Sequence, residues 1–294
     1  MHRAEDVTLR LGGTWFGTYG KAPDVGHSPK DDGLSIKDGD DGLIVYSHHG
    51  YSYDEIMGYL RDKGVDCRNN RKDRNVARRQ TRNADASNTG SAQAIWRSSS
   101  GVVTPYVDAY LRRRGLNPSA ALDLREHGSL YHGPTRGSFP AMVAAVKRWP
   151  SDDVLAIHRT YLDHAAPRKA PVVPAKMMLG PCRGGAVRLS HLGETLAIAE
   201  GIETALSYQE LFKTPCWAAL SCAQFEHFVV PDGVRELIFV LDNDANRASF
   251  RAYERAAERL WRMGLKIYSE VCPLPYPSDF NDLLMSLTDE CADQ

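Results

Sequence analysis

Three acidic residues are spaced so that they could share a divalent metal ion. Glu200 directly follows the apolar run 195–199, and Asp242 and Asp244 follow the continuous apolar run 235–241. Such runs predict strands buried in a parallel sheet, whose carboxyl ends meet at one edge. We therefore expect the three carboxylates to converge. A cation would relieve their repulsion, and oxygen ligands without nearby Cys or His favour Mg²⁺ or Mn²⁺ over zinc.

A second acidic group follows in the segment Asp279-Phe280-Asn281-Asp282. Asp279 is suited to cap the helix that we predict from here through Leu287. Asp282 is either a further metal ligand or an acidic residue in the first helical turn, where it complements the helix dipole. An isolated Asp-x-Asp is weak evidence for a site, and its combination with Glu200 and this segment is more specific.

Strands and helices alternate regularly from Glu194 onward. This alternation predicts right-handed β-α-β units and an α/β domain with a mainly parallel sheet flanked by helices. The predicted strands cover residues 195–199, 216–220, 235–241 and 266–271, and the predicted helices cover 202–212 and 249–263.

The rest of the chain is less regular. Between Arg68 and Arg82 there are seven basic residues and one acid, Asp73, with little apolar surface to bury, which favours a linker or mobile arm. Before it, a β-prone run at 43–46 and helical spacing at 53–63 indicate a small α/β unit. The predicted organisation is a small domain at 1–65, a basic polar linker at 66–94, an α+β subdomain at 95–193 and the α/β domain at 194–294.

The formal net charge of −1 conceals an uneven distribution. From Glu194 onward there are 8 Lys/Arg and 17 Asp/Glu, and before it 28 and 20. One interpretation is that the basic part holds a polyanion and the acidic part gathers cations. The other is that both parts are simply solvated surfaces. The apolar runs are too short to cross a membrane, no signal region is visible, and the six cysteines form no CxxC pair. We expect a cytoplasmic protein.

The acidic motifs resemble a known domain. AEGIETAL (199–206), FVLDND (239–244) and DFNDLL (279–284) resemble the Toprim domain of primases, type IA and II topoisomerases and some nucleases, in the form found in prophage and plasmid proteins. YLRRRGL (110–116), HRTYLD (158–163) and KMMLGPCRGGAVRL (176–189) resemble the region that precedes Toprim in primase-like proteins. The resemblance runs from Ile95 to the C-terminus.

The resemblance implies a metal-dependent primase that acts on single-stranded DNA and nucleoside triphosphates. Glu200 would be the general acid/base, and Asp242 and Asp244 would hold the metal. Four basic residues would contact the template, the triphosphate or other phosphates: Arg159, Lys176, Arg183 and Arg188. The chain has no Walker A motif, so a helicase partner would be a separate protein.

The N-terminal part resembles the small zinc-binding domain of such primases, without its cysteines. Asp24, Ser47 and Tyr51 stand at the ligand positions, and only His27 is retained. We expect zinc to be absent, although Asp24 and His27 could in principle bind a metal together with His48 and His49.

Two other functions fit the same motifs. A Toprim nuclease would use the acidic cluster to activate water, and a non-catalytic DNA-binding replication accessory would keep the fold alone. A serine hydrolase is excluded because no GxSxG motif is present. A topoisomerase is disfavoured because no further domain could supply the strand-passing tyrosine and gate.

Overall fold

The computed structural model describes residues 3–29, 31–39, 42–47, 51–65, 71–101, 104–243 and 248–292. Asp244, His48 and His49 therefore lie outside the described residues. The chain divides into two compact units, Met1–Ala84 and Asp85–Gln294. Within the described part, no helix is both long and apolar enough to span a membrane.

The first unit contains a four-stranded antiparallel sheet in the order β1-β2-β3-β4. Ala22, Leu34 and Ile36 on this sheet are buried together with Ile56 and Leu60 of the second helix. The sequence predicted β4 and α2 but not the other elements. The elements of the first unit are α1 (Arg3–Arg10), β1 (Thr14–Trp15), β2 (Gly20–Ala22), β3 (Leu34–Gly39), β4 (Gly42–Ser47) and α2 (Tyr53–Asp62).

Helix α3 (Arg71–Ser98) covers most of the segment that the sequence indicated as a linker or mobile arm. Its last turns are anchored, because Ala92 is fully buried and the Thr89 hydroxyl donates to the Leu155 carbonyl at 2.9 Å. The Gln93 amide donates to the Val154 carbonyl at 3.1 Å. The chain is therefore helical well before residue 95. The predicted division of the chain into four parts stays a prediction.

The second unit contains two sheets. The first is antiparallel in the order β5-β6-β7-β8, and the second is entirely parallel in the order β10-β9-β11-β12. The prediction of a mainly parallel sheet flanked by helices is confirmed. The elements are α4 (Pro105–Arg112), β5 (Leu124–His132), β6 (Gly137–Val146), β7 (Ala156–Tyr161), β8 (Lys176–Leu179), β9 (Thr195–Ala199), α5 (Ile202–Phe212), β10 (Cys216–Ala218), β11 (Glu236–Leu241), α6 (Ala248–Trp261), β12 (Lys266–Val271) and α7 (Phe280–Ala292).

The two sheets of the second unit share one apolar core. Tyr110 and Leu111 of α4, Met142 of β6, Ala199 of β9 and Leu206 of α5 belong to the same buried cluster. The antiparallel sheet is also covered on its other face, where Ile157 and Tyr161 pack near Ala92 of α3. Burial on both faces explains why β6 is a continuous apolar run after Phe139.

A buried amide joins three helices of this core. Asn281 is 4% exposed. Its Nδ2 donates to the Arg114 carbonyl at 2.8 Å and to the Ser207 hydroxyl at 3.1 Å, while Arg114 Nη1 donates to its Oδ1 at 2.9 Å. The start of α7 is thereby held against α5 and the end of α4.

Replacing Asn281 by leucine should lower the free energy of unfolding by about 2–4 kcal/mol, because the buried partners lose their hydrogen bonds. Chemical denaturation followed by circular dichroism measures the change. Glu258→Gln on the exposed face of α6 is the control and should shift stability by less than about 0.5 kcal/mol. Equal midpoints for Asn281→Leu and wild type would contradict the assignment.

Candidate functional site

Two of the predicted acidic residues lie at neighbouring strand ends. Strands β9 and β11 pair in parallel with Ala199 opposite Val240. Glu200 therefore follows β9 at the level where β11 ends, and Asp242 is the next residue beyond β11. The Thr204 hydroxyl donates to Asp242 Oδ1 at 3.5 Å, which ties the start of α5 to the same edge.

The turn between β9 and α5 places Gly201 close to the Thr204 side chain. A Cβ atom at Gly201 would approach the Thr204 hydroxyl oxygen to 3.2 Å. A larger side chain at position 201 would require the Thr204 side chain to shift by a few tenths of an ångström.

The DFND segment lies beside the end of β11. Asn243 and Ser278 exchange two backbone hydrogen bonds, of 2.9 and 3.3 Å. Asp279 caps α7 as expected, since its Oδ1 accepts from the backbone N–H groups of Asn281 and Asp282. Asp282 Oδ2 accepts from the Asp279 N–H at 3.0 Å, and its role as a metal ligand stays a prediction.

A buried ion cluster, which the sequence did not indicate, surrounds Glu203 on α5. This side chain accepts a hydrogen bond from the Tyr110 hydroxyl at 2.7 Å and pairs with Lys176 at 3.1 Å and Lys169 at 3.6 Å. Burial alone would raise the pKa of the Glu203 carboxyl, but the two lysines and Tyr110 outweigh it and lower that pKa well below its usual range. The Glu203 carboxyl group therefore stays ionised in the folded protein, in contact with the ammonium groups of Lys169 and Lys176.

The cations of this cluster continue into an open cleft of about 390 Å³. Arg168 is paired with Asp163 at 2.9 Å, and burial together with the charge of Lys176 lowers the pKa of Lys169. Four of the six lining residues are basic, so the cleft suits an anionic ligand. The cleft is lined by Tyr110, Arg113, Arg114, Pro167, Arg168 and Lys169.

Comparison with protein families identifies the part of the chain that bears the carboxylates. The Toprim domain model matches residues 195–289, and a domain of unknown function, DUF7146, matches residues 86–189. Residues 195–289 are a Toprim domain. The parallel sheet β10-β9-β11-β12 lies within it, with Glu200 and Asp242 at its carboxyl edge.

Solved primase structures are similar to the chain at low identity. The Aquifex aeolicus primase (zinc binding and RNA polymerase domains) is 14% identical, with 100% of this chain and 82% of that chain covered and a TM-score of 0.45. The RNA polymerase domain of Mycobacterium tuberculosis primase DnaG, in complex with double-stranded DNA, is 14% identical, with coverages of 71% and 80% and a TM-score of 0.44. No curated protein matches the sequence.

Of the four basic residues that the sequence analysis predicts to contact phosphates, only Lys176 belongs to the ion cluster, where it pairs with Glu203. Lys176 pairs with Thr160 across β7 and β8, whereas Arg159 pairs with Met177. Successive residues of a strand face opposite sides, so Arg159 lies on the other face of the sheet. There its guanidinium donates to the Met178 carbonyl at 2.9 Å.

The other two predicted basic contacts differ in environment. Arg183 is exposed and lies 3.5 Å from His227 Nδ1. Arg188 is buried between the rings of Trp149 and Trp217, and its guanidinium donates to Asp152 at 2.6 Å. The two indole rings and Asp152 account for the burial and the charge of Arg188. A phosphate contact by Arg183 or Arg188 stays a prediction.

His158 stands next to the ion cluster and is 8% exposed. Burial, reinforced by the positive charge of Lys176, lowers its pKa from 6.5 to about 4. The folded protein therefore keeps this imidazole neutral at neutral pH.

Because the unfolded chain binds this proton more tightly, the free energy of unfolding should fall as the pH drops from about 6.5 towards 4, by up to about 3 kcal/mol. The contribution is fully present above pH 6.5. Urea denaturation across this range, compared between wild type and His158→Gln, measures it. The variant should show a flatter profile, and parallel profiles would contradict the assignment.

Proposed function

We propose that the chain is a metal-dependent nucleotidyltransferase of primase type that acts on single-stranded DNA. One observation carries the proposal: Glu200 and Asp242 end adjacent parallel strands of a Toprim domain, close to a cationic cleft. Glu203, three residues after Glu200, contacts Tyr110 and Lys169 in the lining of that cleft. Acidic and basic groups are thus combined in one region, as a triphosphate and its metal require.

The carboxylates are suited to magnesium or manganese. Hard divalent cations favour oxygen ligands, and the ends of β9 and β11 contribute carboxylates, whereas the Cys272 thiol at the end of the neighbouring β12 donates to the Asp279 carbonyl. We assign Asp242, Asp244 and Asp282 together with Glu200 as the residues that would hold the metal. Bound there, Mg²⁺ or Mn²⁺ would neutralise the charge of the triphosphate and of the departing pyrophosphate.

The residues of the chain would then divide the remaining work. Glu200 would accept the proton of a 3′-hydroxyl as that oxygen forms a bond to the α-phosphorus of a nucleoside triphosphate. The bond between the α- and β-phosphates breaks, and pyrophosphate leaves. Lys176 would hold the triphosphate through charge-assisted hydrogen bonds. Arg159, Arg183 and Arg188 are proposed as contacts to the phosphates of template or product.

The biological setting is part of the same proposal. The forms of the motifs resemble those of prophage and plasmid proteins, so we propose a mobile genetic element as the source. Such an enzyme would work in the cytoplasm on template unwound by a separate helicase.

Incubation with single-stranded DNA, labelled nucleoside triphosphates and Mg²⁺ or Mn²⁺ should yield short labelled strands. Asp242→Ala should reduce product at least about 100-fold, because several kcal/mol of charge stabilisation are lost. Its melting temperature should be unchanged or higher, since repulsion between carboxylates is relieved. Asp153→Ala, which removes an exposed carboxylate on a loop, is the matched control.

Equal product from wild type and Asp242→Ala would overturn the proposal. Scission of the DNA without synthesis would identify a Toprim nuclease. DNA binding without either product would identify a non-catalytic replication accessory.

Replacing Lys176 by glutamine should raise the apparent KM for nucleoside triphosphates about 10–100-fold, as expected for the loss of a hydrogen bond to a charged group. Lys213→Gln removes the exposed lysine that pairs with Glu210 and should leave KM unchanged. Steady-state kinetics at several nucleotide concentrations separates KM from kcat. An unchanged KM in Lys176→Gln would remove this residue from the nucleotide site.

A further inference from the structure

Four positions of the N-terminal unit that resemble zinc-ligand positions do meet in the structure. The Ser47 hydroxyl donates to Asp24 Oδ2 at 2.5 Å, and the Tyr51 N–H donates to Ser47 Oγ at 3.2 Å. The His27 N–H donates to the Asp24 carbonyl at 3.1 Å, and the His27 and Tyr51 rings are 6.0 Å apart in an edge arrangement. The four positions therefore lie close together in the folded unit.

The groups at this place do not fit zinc. Structural zinc is held by four thiolate or imidazole ligands in tetrahedral geometry, and two of the four positions here carry hydroxyl groups. The proton of the Ser47 hydroxyl is directed at Asp24, and the other Asp24 oxygen accepts from the Val25 N–H at 2.8 Å. Among the described residues of this unit, no group of three or more His, Cys, Asp or Glu side chains could hold a metal.

A second carboxylate closes the loop that follows β2. Asp31 Oδ2 accepts from the backbone N–H groups of Asp24 at 3.0 Å and Gly33 at 3.1 Å. Its Oδ1 lies 4.0 Å from His27 Nδ1. Asp24 and Gly33 are thus held together by the Asp31 side chain, and Asp24 is in turn linked to the end of β4 through Ser47.

The link lies in a protected environment. Asp24 is 1% exposed and lies two residues after the buried Ala22 of β2, and Ser47 at the end of β4 is 5% exposed. Hydrogen bonds to a charged group are stronger where water is excluded, and loss of one partner leaves a buried charge unsatisfied. A link of this kind can hold two loops together without an ion.

We infer that the N-terminal unit is independent of metal, and that the hydrogen-bonded link from Asp24 through Ser47 to Tyr51 takes the place of a zinc ion. The unit should therefore keep its structure in the presence of chelators and under conditions that oxidise thiols. This inference concerns the first unit alone and does not rest on the proposed activity of the second.

The full-length protein tests this directly. Purified without added metal, it should contain less than about 0.1 zinc per chain, because a structural zinc site retains its ion tightly. Hydrogen–deuterium exchange in peptides covering residues 20–36 and 43–56 should be the same with and without a strong chelator. Stoichiometric zinc, or faster exchange in these peptides after chelation, would overturn the inference.

Variants then test whether the hydrogen-bonded link stabilises the N-terminal unit. Ser47→Ala should increase exchange in the same peptides about tenfold or more, and added zinc should not restore protection. Thr14→Val removes an exposed hydroxyl from β1 with little change in shape and should leave exchange unaltered.

A double-mutant cycle distinguishes the link from general loosening of a buried site. Asp24→Ala combined with Ser47→Ala should cost clearly less than the sum of the single changes, because each single change already breaks the hydrogen bond between the two side chains. A coupling of about tenfold in the opening equilibrium is expected for two directly bonded groups. Additive effects, or rescue of Ser47→Ala by zinc, would refute the role of the link.

Discussion

The parallel pairing of β9 and β11 is the constraint on which the candidate site of the second unit depends. The parallel register leaves Glu200 and Asp242 at adjacent strand ends, and the DFND segment is joined to the end of β11 by the hydrogen bonds between Asn243 and Ser278. Carboxylates at one edge of a sheet repel each other unless hydrogen-bond donors or cations are near. The fold meets part of this need itself, because Asp242 receives the Thr204 hydroxyl and Asp282 receives a backbone N–H. A divalent ion would meet the rest.

The repulsion between basic residues near the cleft is offset by a buried carboxylate. Lys169 and Lys176 approach each other at the side of the cleft, and Glu203 beneath them offsets their repulsion. A buried ionised carboxylate is costly unless it is paired and hydrogen-bonded, and Glu203 has both kinds of partner. The cleft can therefore remain cationic without destabilising the core that the two sheets share.

Much of the Toprim part could be predicted from the sequence, and the reasons are local. Strands β9 and β12 and helix α5 have the predicted bounds, since apolar runs and turn residues mark their ends. The edge strand β5 was missed because polar and apolar residues are mixed along it, and β8 because it has only four residues. Helix α1 has too few apolar positions for a clear period. Glu203 was missed for a different reason: its partners Tyr110 and Lys176 are 93 and 27 residues away, so no local pattern reveals them. The available signal for a buried ion pair was the charged Glu203 within the helical segment 202–208, whose residues are all buried.

The cluster around Glu203 also limits how the chain can diverge. A carboxylate enclosed by two ammonium groups and a phenol cannot be lost alone without leaving like charges in contact, and neither lysine can be lost without weakening the compensation of a buried anion. Among related sequences, positions 110, 169, 176 and 203 should consequently change in concert, with apolar residues replacing the whole set where the cluster is abandoned. These four positions would then mark, in an alignment, which relatives have kept the same cleft.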